Sequence, residues 1–165
     1  MDAIFERSSI RRFDDREVEE EKIEKILRAG MAAPSGGNQQ PWEFVVVRDK
    51  ETINRLSKSS PYAGSAANAT VVIVPCFRTK GLLYPELTDM DMSACVENML
   101  VEITAQNLGG VWLSIAPYKE RMRNADEILG IGSDIRSFAL IPVGYPANSN
   151  GHKDRYDEGR IRYIS

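Results

Sequence analysis

Three stretches of this sequence gather side chains able to do chemistry. Between Pro34 and Trp42 the run Pro-Ser-Gly-Gly-Asn-Gln-Gln-Pro-Trp sets the hydroxyl of Ser35 and the amides of Asn38, Gln39 and Gln40 around Gly36 and Gly37. The glycines permit positive φ and close backbone approach, so such a loop can grip a polar ligand. Near the start, Arg7-Ser8-Ser9-Ile10-Arg11-Arg12-Phe13 places two hydroxyls among three guanidinium groups, and near the end stand Lys153, Arg155, Arg160 and Arg162. The planar arginine fork donates in pairs and keeps its charge, which suits either cluster to one small anion. Taken singly, each arginine reads better as solvated surface charge, and by composition alone the loop reads as an ordinary helix-to-strand connection. His152 is the only histidine and lies in a polar linker, while Cys76 and Cys95 are lone thiols in apolar surroundings. No metal site, nucleophile or triad is visible in that inventory.

The elements that must position these residues follow from periodicity. Asp2 to Glu6 suggests a short helix running into a loop that carries the first arginine cluster. From Glu19 to Ala33, Ile23, Ile26, Leu27 and Met31 recur at helical spacing with charges on the opposite face, and the helix stops near Pro34. Trp42 to Val47 reads as a buried strand, and Asp49 begins a short helix to about Ser59. Ser60 to Asn68, rich in small residues, reads as a mobile loop. Val71 to Phe77 is a second strand, in which Pro75 suggests an edge position or a bulge. Leu82, Leu83 and Tyr84 lie in a loop and either line a substrate mouth or cover the core. Thr88 and Asp91 fit a capping box opening a central helix that continues to about Asn107. Val111 to Ile115 is a third strand, Tyr118 to Leu129 an amphipathic helix, and Ser137 to Tyr145 a fourth strand. Alternation of strands and helices alone argues for a parallel doubly wound sheet.

At 165 residues, with 42% hydrophobic and 27% charged side chains, the chain suits one domain, residues 1–165, able to bury a core without disulfides. The net charge of −3 argues against nucleic acid as a partner. No apolar run approaches the roughly 20 residues that cross a bilayer, and no signal peptide is legible, so a soluble, cytoplasmic protein without membrane attachment is expected.

The order of the residues adds more. Ala33-Pro-Ser-Gly-Gly-Asn-Gln-Gln-Pro-Trp-Glu-Phe44 resembles the A-P-S-x-x-N-x-Q-P-W-x-F signature of the FMN-dependent nitroreductase family. The likeness extends to the Arg7 to Phe13 motif, to Leu108-Gly109-Gly110-Val111-Trp112-Leu113, to Pro142-Val143-Gly144-Tyr145-Pro146 and to the arginine-rich tail, and so spans almost the whole chain. It implies an α+β fold, a three-layer α/β/α sandwich around a mostly antiparallel sheet, built as an intertwined homodimer with FMN at the interface. It implies that Arg7, Ser8 or Ser9, and Arg155 hold the flavin phosphate, with Arg160 and Lys153 as further candidates, and that Arg11 approaches the pyrimidine ring. Pro34, Ser35, Gly36, Asn38 and Gln40 would meet the remaining polar groups, from the partner subunit, and Leu113 and Ser114 would pass over one face of the flavin. Some members have Ile-Glu-Gly where this chain has Leu113-Ser114-Ile115.

A flavin carries the hard chemistry itself, which accords with the absence of a catalytic side-chain set. The resemblance therefore implies an NAD(P)H oxidoreductase reducing nitroaromatics, quinones or similar electrophiles by ping-pong hydride transfer through flavin N5. It leaves open NADH or NADPH as donor, a related dehalogenase or ring reductase, and a flavin store without turnover.

Overall fold

The computed structural model describes residues 2–148 and 154–164, so His152 and Lys153 lie outside the described residues. The short α1 (Ala3–Glu6) leads into the arginine motif, and α2 (Glu20–Met31) follows with Ile23, Ile26 and Gly30 buried. After the Pro34–Pro41 loop, β1 (Trp42–Val47) leads to α3 (Lys50–Leu56). Asp49 caps α3 as expected, its carboxylate accepting from Thr52 N at 2.7 Å. The helix ends short of Ser59, and residues 60–68 form packed turns, with Ala63 and Ala66 buried in the core in place of the open loop expected there.

Next come β2 (Val71–Arg78), the long α4 (Thr88–Ala105), the two-residue strands β3 (Gly109–Gly110) and β4 (Leu113–Ser114), α5 (Lys119–Leu129), β5 (Ile135–Ser137) and β6 (Ala139–Gly144). The six strands form a sheet with the path β1-β2-β6-β3, with β4 beside β6 and β5 beside β2, and every ladder is antiparallel. This bears out the fold implied by the resemblance and overturns the parallel sheet suggested by alternation.

The physical reason lies in burial. One core packs Ile23 and Ile26 of α2 and Met92, Cys95, Val96 and Met99 of α4 against Val71, Ile73, Ile141 and Val143. A second packs Ile53, Leu56, Met122 and Ala125 of α3 and α5 against Val72, Val74, Cys76 and Leu140. Both faces of β2 and β6 are therefore covered. Their uninterrupted apolar runs, the usual mark of parallel strands, belong here to an antiparallel sheet with helices on both sides.

Two strand boundaries differ from expectation. Val111 to Ile115 is not one strand: Val111 and Trp112 connect β3 to β4, and only Leu113 and Ser114 are strand. Ser137 to Tyr145 divides at Phe138: Ser137 pairs with Cys76 and Ile141 with Ile73, so four steps face three and one residue is extra. This bulge stands opposite Pro75, whose carbonyl accepts from Phe138 N at 2.8 Å. Pro75 is thus on an interior strand, and the bulge accommodates its missing N–H.

Candidate functional site

The Pro34–Pro41 loop is held from three sides. The carboxylate of Asp91, in the first turns of α4, accepts from Gly36 N at 2.8 Å and from Gln39 Nε2 at 2.6 Å. Gln39 also donates to Tyr84 O and accepts from Tyr84 N, both at 3.0 Å, so its amide is fixed in orientation. Arg78, at the end of β2, donates to the carbonyls of Gln40 and Gln39 at 2.8 and 2.9 Å. Within the loop, Ser35 Oγ accepts from Gln40 N at 3.0 Å.

These contacts hold Gly37, Asn38 and Gln40 at φ of 55°, 53° and 46°, in the left-handed region. A Cβ at Gly37 would come within 2.6 Å of the Tyr84 ring, so both φ and space require glycine there. Gln39 is buried and Pro34, Asn38 and Gln40 are exposed, so the loop turns two side-chain amides outward.

Asp91 is a correction as well as a finding. The first helical residue of α4 is Thr88 itself, its hydroxyl donates to Pro85 O at 2.7 Å, and no side chain caps the helix. The spacing that suggested a capping box serves a carboxylate turned toward another loop.

The Arg7–Phe13 segment runs along the other side of the sheet. Ser9 makes a parallel bridge to Gly110, Ile10 N donates to Gly110 O at 3.0 Å, Asp14 N to Tyr145 O at 2.9 Å and Ala147 N to Arg12 O at 3.1 Å. Gly109 and Gly144 admit this path, because a Cβ on either would meet Ile10 at 2.7 Å or Phe13 at 3.0 Å. The backbone is thereby fixed while Arg11 and Arg12 stay exposed. Ser9, Ile10, Arg11, Arg12 and Asn148 line an open hollow of about 210 Å³. Arg7 lies nearby in sequence but turns to α4, its Nε 3.5 Å from Glu97. Ser8 is half-buried.

The remaining expected site residues are dispersed. Leu113 is buried and Ser114 exposed, paired with Leu140 and Ala139. The Ser114 carbonyl accepts from Arg121 Nη1 at 3.3 Å. Residues 154–164 are exposed throughout; Arg160 pairs with Asp157 at 3.1 Å, and neither it nor Arg155 lines the Ser9–Arg12 hollow. Sequence reasoning gave Asp91 only a capping role and missed Arg78, Arg121 and Asn148, which stand in no recognisable motif.

Among the described residues no three potential metal ligands cluster, and no helix is long and apolar enough to cross a membrane. Both cysteines are buried as expected. Burial, then the charges of Asp126 and Glu43, push the Cys76 thiol up to about 12, and burial alone does the same for Cys95.

Comparison with known proteins places this arrangement. The model of the nitroreductase family matches residues 4–62. An Archaeoglobus fulgidus protein, provisionally named an NADH dehydrogenase/NAD(P)H nitroreductase, is 40% identical, covering 96% of this chain and 93% of the relative. A Clostridium acetobutylicum crystal structure, provisionally named an NADH oxidase, superposes with a TM-score of 0.96 at 44% identity over 99% of each chain. A Desulfovibrio desulfuricans structure, provisionally named a nitroreductase and solved in complex with FMN, superposes with a TM-score of 0.85 at 30% identity over 99% of this chain and 95% of its own. Sequence, motifs and fold agree, and the chain belongs to the nitroreductase family.

Proposed function

We propose that this chain is an FMN-dependent NAD(P)H oxidoreductase that works as a homodimer, one domain per copy, with each flavin shared between two subunits. The carrying observation is topological. The hydroxyl and guanidinium groups of Ser9, Arg11 and Arg12 are tied to β3 and β6, whereas the Ser35–Gln40 loop leads into β1 at the opposite edge. Strands lie about 4.8 Å apart, so the β1 and β3 edges of one copy are roughly 14 Å apart across the sheet. Bringing both sets onto one ligand calls for a second copy. Exposed apolar side chains available to it include Ile4 at 60%, Phe5 at 64%, Met90 at 68% and, on the tail, Tyr163 at 83%.

The residues present fit FMN. The Ser9–Arg12 hollow offers a hydroxyl and two guanidinium groups to a phosphate; Arg7 and Arg155, which lie outside its lining, would have to turn toward it to add charge. Arg11 would place positive charge beside the pyrimidine edge, where reduction deposits negative charge. Asn38 and Gln40 of the partner would present amides to the polar ring edge, while Asp91 and Arg78 keep their loop in shape. Bound FMN would supply hydride acceptance and donation at N5, which explains why the chain carries no catalytic triad. Nitroaromatics, quinones or similar electrophiles would be the acceptors. The FMN-bound relative supports the cofactor, and the two reduced thiols accord with a cytoplasmic setting.

The test is an absorption spectrum of purified protein before and after anaerobic addition of NADH or NADPH. A flavin band that bleaches, and recovers with a quinone or nitroaromatic, supports the proposal. A band that bleaches with neither donor would favour the flavin-store reading, and failure to retain added FMN would refute the proposal altogether.

A further inference from the structure

A second hollow, of about 660 Å³, opens between the residues after α3 and the start of α5, with Lys58, Ser60, Tyr118, Lys119, Glu120 and Arg121 among its lining. Three of these side chains are cationic and one is anionic, so the lining carries a net charge of +2 (3 − 1). Arg121 is fixed in place. Its guanidinium carbon lies 3.9 Å from the ring centre of Tyr118 and 5.3 Å from that of Tyr62, and one fork nitrogen is bonded to the Ser114 carbonyl. Tyr118 and Tyr62 are 53% and 73% exposed, which leaves aromatic surface for a flat ring to stack on. The first-turn amides of α5, without a side-chain cap, add to the positive field.

A phosphate group joined to a stacking heterocycle satisfies this combination of fixed arginine, flexible lysines and tyrosine faces. The location narrows the class further, because Arg121 donates to the carbonyl of Ser114, which the family resemblance would pass over one face of the flavin. On that reading, the electron donor has its reacting ring at the Ser114 end and its adenosine end beyond it. We propose that the hollow takes the adenosine 2′-phosphate end of NADPH and that Arg121 and Lys119 make the enzyme prefer NADPH over NADH. The inference rests on the donor reading for its location, but the affinity of the hollow can be measured without turnover.

The deciding experiment titrates the FMN-loaded protein calorimetrically with adenosine 2′,5′-bisphosphate, adenosine 5′-monophosphate and inorganic phosphate. The bisphosphate is expected to bind at least about tenfold tighter than either control, and the exposed Lys119→Glu variant to lose about tenfold of that affinity. Steady-state kinetics should then show the ratio of kcat/KM for NADPH over NADH falling about tenfold in Lys119→Glu, through KM. Arg121→Lys, which keeps charge but loses the fork, should show a smaller loss in the same direction. Equal binding of bisphosphate and monophosphate overturns the proposal, as does inorganic phosphate binding as tightly as the bisphosphate. The two readings fail separately: unselective binding with a flavin that NADH and NADPH bleach alike sinks only the 2′-phosphate site. Selective, Lys119-dependent binding with a flavin neither donor bleaches sinks only the donor reading.

Discussion

Replacing Asp91 by asparagine is a nearly isosteric change whose effect the geometry fixes in sign. The carboxylate accepts two hydrogen bonds on its two oxygens, from Gly36 N and Gln39 Nε2, and the residue is only 5% exposed. A carboxamide keeps one acceptor and turns an NH2 toward the other donor. Gln39 cannot rotate its own amide to compensate, because Oε1 and Nε2 are already committed to Tyr84 N and Tyr84 O. Donor therefore faces donor on one side or the other. A hydrogen bond to a charged group contributes about 1.5–3 kcal/mol, and an unsatisfied buried donor forfeits a similar amount, so Asp91→Asn should destabilise by about 2 kcal/mol. Gln39→Leu should lose a comparable amount, and the pair should be coupled by at least about 1 kcal/mol in a double-mutant cycle. Urea unfolding at one fixed protein concentration measures this, since subunit association enters the apparent stability. A loss below about 0.5 kcal/mol for Asp91→Asn, or additivity within about 0.5 kcal/mol, would refute the clamp.

Gly37→Ala should lose more than the about 1–2 kcal/mol of a left-handed alanine, because the new methyl also meets the Tyr84 ring at 2.6 Å; Gly130→Ala, at φ 65° with open space around it, should lose only the conformational part, and equal losses in urea melts would show that the contact is absent. Glu19 is held below the usual glutamate value of 4.5 by its own backbone N–H and the Tyr145 hydroxyl, and Asp49 below 3.8 by the hydroxyl and N–H of Thr52. A lowered folded pKa gives stability that is full above the unfolded value and lost as pH falls through the lower folded one, so Glu19→Gln and Asp49→Asn should each flatten the stability-against-pH curve below about pH 4.5; an unchanged acid limb would contradict both assignments. With their thiols pushed up to about 12 and buried, Cys76 and Cys95 should resist a disulfide thiol reagent at pH 8 in the folded protein and react after denaturation, and rapid native labelling would be inconsistent with the core.

Much of the fold was legible because helices with one apolar face announce themselves. Glu20–Met31 and Lys119–Leu129 were foreshadowed by three- and four-residue spacing, and Asp49 by its place before Lys50–Leu56. Strand direction was not legible from periodicity, since Val71–Cys76 is buried on both faces and buried runs look alike in parallel and antiparallel sheets. Strand Gly109–Gly110 was missed and Leu113–Ser114 was expected as the longer run Val111 to Ile115, because a two-residue ladder has no period.

The candidate site divides along the same line. Residues proposed to present groups to a ligand were read from local motifs, because glycines and amides stand together in one short run. Residues that shape those loops were not, because their partners are distant in sequence: Asp91 meets Gly36 across 55 residues, and Arg78 meets Gln39 across 39. Asp91 shows why such a residue misleads. Aspartate in the first turns of a helix is favoured by the helix dipole, so its presence there already has a sufficient local explanation. Only the fold shows that the same carboxylate also holds the loop, using one side chain to stabilise the start of α4 and to fix Gly36 and Gln39. Substitutions at Asp91 should therefore alter loop geometry and helix stability together, whereas substitutions at Arg78, on β2, should alter the loop alone.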